Sequence, residues 1–147
     1  MKRILILAAA IVGVAPATPG LARAHASSAT LQLRKTSVGT ILVDARGFTL
    51  YAFTKDGRGK DMCATIGGCL SVWPLVTTGG KPIAGRGVAS SLIGTVALKG
   101  GARQITYAGH PLYTYSADSG PGQTSYVNVS QFGGHWPALN GVGQEVK

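Results

Sequence analysis

The chain of 147 residues holds five acidic residues. Two of them, Asp56 and Asp118, close the same phrase. Leu50-Tyr51-Ala52-Phe53-Thr54-Lys55-Asp56 and Leu112-Tyr113-Thr114-Tyr115-Ser116-Ala117-Asp118 both read Leu-Tyr-x-aromatic-x-x-Asp. Brought together by a duplicated fold, two carboxylates could do acid–base work, as glycosidases do with carboxyls about 5–10 Å apart. Turn chemistry offers a simpler reading. Asp56 precedes Gly57, and Asp118 precedes Ser119-Gly120-Pro121-Gly122. An Asp at a strand end can accept backbone N–H bonds in an Asx-turn and stop the strand. The expectation is therefore a structural Asp at each site.

A second chemistry is soft-metal or redox work by Met62, Cys63, Cys69, His110 and His135. The two His lie far apart in the chain, and no pair has ligand spacing on one element. The Cys pair flanks Ala-Thr-Ile-Gly-Gly. It is neither C-x-x-C nor a haem-attachment motif, and in an exported chain it reads as a disulfide. Nucleophile chemistry has less support. No G-x-S-x-G elbow occurs, and Gly79-Gly80 and Gly100-Gly101 are turns, not phosphate loops. The sequence thus predicts no catalytic, cofactor-binding or metal residues, and assigns the disulfide to Cys63 and Cys69.

The elements that carry these residues are hairpins. Ile41-Leu42-Val43, the turn Asp44-Ala45-Arg46-Gly47 and Phe48 to Phe53 make one. Arg103 to Tyr107, the turn Ala108-Gly109-His110-Pro111 and Leu112 to Tyr115 make the other. Side chains alternate along a strand, so Phe48, Leu50 and Ala52 share one face, and Thr49, Tyr51 and Phe53 the other. Neither face is clearly polar, which predicts a strand covered on both sides or one showing aromatics to a partner. Each unit also ends on Trp-Pro, at Trp73-Pro74 and Trp136-Pro137, preceded by Gly67-Gly68 and Gly133-Gly134. Both Trp are expected as plugs closing the core of their own half. The repeat-motif residues are Tyr51, Phe53, Asp56, Trp73, Tyr113, Tyr115, Asp118 and Trp136. Apart from a short helical turn between Cys63 and Trp73, no helix is expected. The fold class is mostly β: one compact domain of two duplicated hairpin units in a pseudo-twofold relation, with Gly-rich loops.

These stretches carry a resemblance. VGTILVDARGFTLYAFTKD, GGCLSVWPL, GTVALKGGARQITYAGHPLYTYSAD and SQFGGHWPAL come in the order of a bacterial family, the secreted repeats of unknown function. That family is also described as predicted lipoproteins with a Y-x-[FWY]-x-x-D motif. The resemblance implies an exported, β-rich protein with duplicated motifs and no established activity. The chain departs from it in three ways. It lacks an acylation Cys, Leu98 and Gly100 stand where relatives carry Arg and Asp, and its two Cys are more widely spaced.

Lys2 and Arg3, the apolar run Ile4 to Ala15 and the small residues up to Ala26 have the layout of a signal peptide. A run this short does not span a bilayer. Cleavage is expected after Ala26, leaving no transmembrane segment and no lipid anchor. Residues 27–37 read as a lead-in, 38–142 as the duplicated domain (38–78 and 92–142), and 143–147 as a tail. The formal charge is +9, and Lys2, Arg3 and Arg23 belong to the leader. The remaining cations are scattered, with no basic run to track phosphates, so nucleic acid is not an expected partner. The functional expectation is a non-catalytic binding or structural module, periplasmic or extracellular. The basic surface reads first as a means of solubility, and the sequence names no partner, the candidates being an anionic envelope polymer or another envelope protein.

Overall fold

The computed structural model describes residues 30–147. The leader and its cleavage point after Ala26 lie outside the described residues. Among the described residues, no helix is long and apolar enough to cross a membrane.

The expected lead-in contains a strand. β1 (Leu31–Thr36) pairs antiparallel with β2 (Gly39–Asp44) over its whole length. The turn after β2 forms as its residues predict, with Gly47 N–H on Asp44 O at 2.9 Å. Asp44 Oδ1 accepts the N–H groups of Arg46 and Phe48, each at 2.9 Å. Asp44 thus makes the Asx-turn, while Asp56 accepts a backbone N–H from farther along the chain, that of Met62 at 2.8 Å.

A 3-10 turn (Cys63–Thr65) and the single-turn α1 (Cys69–Val72) follow. The Cys63–Cys69 disulfide ties them together, with Cα atoms 5.4 Å apart. β3 (Thr77–Thr78), β4 (Ile93–Ala97) and β5 (Arg103–Tyr107) form a sheet in the order β3-β5-β4. β6 (His110–Pro111) pairs with the end of β5 through a tighter turn than expected. Its two central residues, Ala108 and Gly109, have φ of 50° and 88°. Positive φ at both positions is the type I′ hairpin. β7 (Val129–Gln131) pairs with β8 (Gly134–Trp136), and β9 (Ala138–Leu139) with β10 (Glu145–Val146). The expected tail is thus paired as well.

The two motif segments differ from the continuous strands expected of them. Thr49 bridges back to Val43, but Tyr51 bridges both Tyr113 and Ala138, and Tyr113 bridges both Tyr51 and Leu75. Among the described residues, the backbones of the two segments pair with each other only at Tyr51 and Tyr113, and beyond that point each runs antiparallel to the Trp-Pro stretch of the opposite repeat. Ala52 N–H bonds Pro137 O and Thr114 N–H bonds Pro74 O, each at 2.9 Å. A proline has no N–H to return the bond, so the pairing is one-sided there. It continues past each proline, with Thr54 N–H on His135 O at 3.0 Å and Ser116 N–H on Val72 O at 2.9 Å.

Alternation along these segments divides the core. Leu50, Ala52 and Leu112 join Leu31, Leu42, Ile105, Tyr107 and Leu139 in an aliphatic cluster. Tyr51, Phe53 and Tyr113 face the other way, into a cluster with Trp73, Trp136 and the disulfide. A strand pair covered on both faces explains why neither face looks polar.

The disulfide closes a ring of seven residues against this aromatic cluster. Replacing both Cys63 and Cys69 with Ser is expected to cost about 2 kcal/mol, by the loop-closure entropy of so small a ring. Denaturant unfolding of the oxidised protein and the variant checks this. Equal midpoints would mean the loop is already ordered without the bridge.

Candidate functional site

The motif residues converge, and they do so by exchange between the two copies. Tyr51 N–H bonds Tyr113 O, and Tyr113 N–H bonds Tyr51 O, both at 2.9 Å. Their hydroxyls then reach the carboxylate of the opposite copy. Tyr51 OH donates to Asp118 Oδ2 at 3.0 Å, and Tyr113 OH lies 2.7 Å from Asp56 Oδ2. The rings cross over in the same way. Phe53 stacks on Trp136 at 4.1 Å, and Tyr115 packs on Trp73 at 4.4 Å. The two indoles stack on each other at 4.0 Å and 2°. Tyr51 and Tyr113 meet their own copy's Trp edge-on, each at 5.1 Å. Such aromatic pairs contribute about 0.5–1.5 kcal/mol each beyond the area they bury. The two Trp therefore do not plug separate halves, as expected; they form one stack at the seam.

Glycine makes room for this stack. A Cβ on Gly134 would stand 2.6 Å from Phe53 Cε2, so β8 can lie against that ring only with no side chain there. The indole donors are met by a residue the sequence reading passed over. Gln131 accepts Trp73 Nε1 through Oε1 at 2.9 Å and Trp136 Nε1 through its backbone O at 3.2 Å.

The sequence profile of a family described as secreted repeat of unknown function matches residues 32–77 and again residues 94–140. The chain belongs to that family. No curated protein and no solved structure matches it. In this secreted repeat protein, the first matched repeat supplies Tyr51, Phe53, Asp56 and Trp73, and the second supplies Tyr113, Tyr115, Asp118 and Trp136. Each Tyr–Asp bond and each aromatic-on-Trp stack joins one repeat to the other.

Tyr51 and Tyr113 are poor nucleophiles or bases. Burial, and then the facing carboxylate, push both phenols far above their ordinary range, so they stay protonated donors. Asp118 is raised by burial, with the Tyr51 bond opposing. Asp56 is raised to about 6, chiefly by burial. The Met62 N–H and Tyr113 hydroxyl bonds pull it down, and Asp61 pushes it up. Asp61 is the second residue missed from sequence. Its Oδ1 accepts Ala64 N–H at 2.9 Å and also lies 2.8 Å from the Tyr113 hydroxyl. A phenol has one proton to give. Only one of the two carboxyl oxygens can accept it, and Asp56, with its pKa raised to about 6, is the carboxyl that takes up a proton as pH falls through that value.

The acid–base reading finds no shared site. Asp56 and Asp118 bond different tyrosines, and the charge acting on Asp56 is that of Asp61. Among the described residues, a pocket of about 160 Å3 meets a motif carboxyl, lined by Asp56, Arg58, Ala108, His110 and the glycines beside them. That is room for a few waters, below the 300–1,000 Å3 typical of small-molecule sites. The metal reading is not assembled either. The disulfide takes up both thiolates, and the described residues contain no cluster of three His, Cys, Asp or Glu able to hold a metal. His135 is exposed on β8, while His110 lies half-buried beside the small pocket.

The pH dependence follows from Asp56. Its folded pKa lies above the unfolded value, so the folded state holds the extra proton between about 4 and 6. Stability from this group is present below about 4 and lost as pH rises through about 6. The protein should therefore gain roughly 1–2 kcal/mol between pH 7 and pH 4 from this group, the full linkage value reduced for partial exposure. Asp56→Asn, which mimics the protonated acid, should flatten that part of the profile. Urea unfolding across pH 4–7 measures it, and a profile unchanged by Asp56→Asn contradicts the assignment.

Proposed function

We propose that this secreted repeat protein is a non-catalytic module of the cell envelope, exported to the periplasm or medium without a lipid anchor, that binds a partner or fills a structural role. The observation carrying this reading is what became of the motif. Tyr51, Tyr113, Trp73 and Trp136 are each 0% exposed, and their polar atoms are spent on one another, on the two Asp and on Gln131. Residues repeated across two units and buried this completely serve the packing of the seam. Recognition then falls to the basic outer surface, which suits an anionic envelope polymer or an acidic face of another envelope protein.

Two measurements test the reading. Protein recovered after export should have the mass of residues 27–147 with no lipid added; a retained leader or an acyl chain would overturn the localisation. Assayed on a panel of ester, glycoside and peptide substrates, it should show no turnover above that of its Asp118→Asn variant. Turnover that disappears on Asp118→Asn, in protein that remains folded, would make it an enzyme.

A further inference from the structure

The sheet β3-β5-β4 ends on β4, and among the described residues nothing pairs with its outer side. The orientation of that side follows from β5. Ile105 gives its N–H to Val76 O and takes Leu112 N–H on its carbonyl, so its polar groups point away from β4. Thr95 stands opposite Ile105. In an antiparallel pair, such a residue also turns its N–H and C=O outward. The alternation places those of Ala97 outward too. No hydrogen bond among the described residues uses the N–H of Thr95 or Ala97.

Open edges of this kind are usually blunted with a charge, a proline or a bulge. Ile93-Gly94-Thr95-Val96-Ala97 carries none of the three. The charge lies beside the strand instead. A groove of about 380 Å3 next to β4 is lined by Lys81, Pro82, Ile93, Thr95 and Arg103, with no acidic residue among its walls. Arg103 Nε donates to Thr95 Oγ1 at 2.7 Å, which draws the guanidinium over the edge strand. The ion pair found among the described residues joins Arg46 and Asp44, so Lys81 and Arg103 have no carboxylate of their own.

We infer that β4 is a docking edge for an extended, acidic segment of another exported protein, which adds as a further strand and sets carboxylates against Arg103 and Lys81. Main-chain bonds to Thr95 and Ala97 would give the affinity, and the two cations the selectivity. A second copy of this chain fits less well, because β4 against β4 would bring Arg103 and Lys81 of both copies together. Residues 1–29 of the chain contain no Asp or Glu, so they do not match the groove either. The inference rests on the binding-module reading and deepens it by choosing a peptide partner over a polymer.

The probe is a fluorescent seven-residue peptide alternating valine with glutamate. A valine–lysine peptide and poly-glutamate serve as controls, all read by anisotropy on protein purified after export. The valine–glutamate peptide should bind, at least tenfold more tightly than either control. Its amide shifts should centre on residues 93–97. Lys81→Ala combined with Arg103→Ala should weaken it by about tenfold, and Thr95→Pro should abolish it. The double alanine variant carries the test alone if Thr95→Pro does not fold. Any of four results would overturn the proposal: no binding, equal binding of a control, binding unchanged in the double variant, or an edge already filled by residues 1–29 or by a second copy. No turnover enters this assay, so an enzyme that binds the peptide and a non-enzyme that does not are told apart.

Discussion

The backbone exchange between Tyr51 and Tyr113 is the constraint on which the rest of the molecule depends. Once these two residues give and take each other's main-chain bonds, their side chains must lie on one face, and the residues on either side must lie on the opposite one. That face has to be filled by large flat groups, and the Trp-Pro turns supply them. Pro74 and Pro137 each accept one bond from the opposite repeat and cannot return it, and the next bonds fall on Val72 O and His135 O, so each Trp is held in a paired segment beside the seam. The indoles then have no place except against each other.

Burying four such rings brings polar atoms with them, and each needs a partner. The two phenols reach the Asp of the other repeat, and the two indoles share Gln131. The solution is uneven in one respect. Asp118 serves one tyrosine by itself, whereas Tyr113 lies between Asp56 and Asp61, where Asp56 takes up a proton as pH falls through about 6. The two repeats are alike in their rings and different in their acids. The interior thereby gains one group that titrates near neutral pH. The same packing leaves the outside to do any recognising, and an uncovered strand edge flanked by cations is the feature best suited to it.

Much of this was legible in the chain. The doubled phrase, the two-faced strand, the Trp-Pro ends and the paired Cys all follow from residue types and spacing, because alternation and compartment act locally. What was not legible is who meets whom. Asp56 and Asp118 have a ready local explanation in the Asx-turn, and Asp44 takes that role instead, because its neighbours sit within reach of a turn already closed by Gly47. The bonds from Tyr51 to Asp118 and from Tyr113 to Asp56 span 67 and 57 residues, more than a whole matched repeat, and no local rule prefers the other copy's Asp to the nearer one. Gln131 and Asp61 gave no signal at all, since a lone polar residue in a loop acquires its role only when a buried donor arrives. β1 escaped for a related reason: Leu31 to Thr36 looks weak by itself and becomes a strand because β2 offers it a full register.

The central claim is that the repeats hold each other, Tyr to opposite Asp, and a double-mutant cycle tests it most directly. Tyr51→Phe and Asp118→Asn are measured singly and together by equilibrium unfolding, beside the same-repeat cycle of Tyr51→Phe with Asp56→Asn. Residues sharing a hydrogen bond couple by about 0.5–3 kcal/mol, while those without a shared partner add to within about 0.5. The exchange predicts coupling of about 1 kcal/mol between Tyr51 and Asp118 and additivity between Tyr51 and Asp56. Coupling in the same-repeat pair, with none across the repeats, would contradict it.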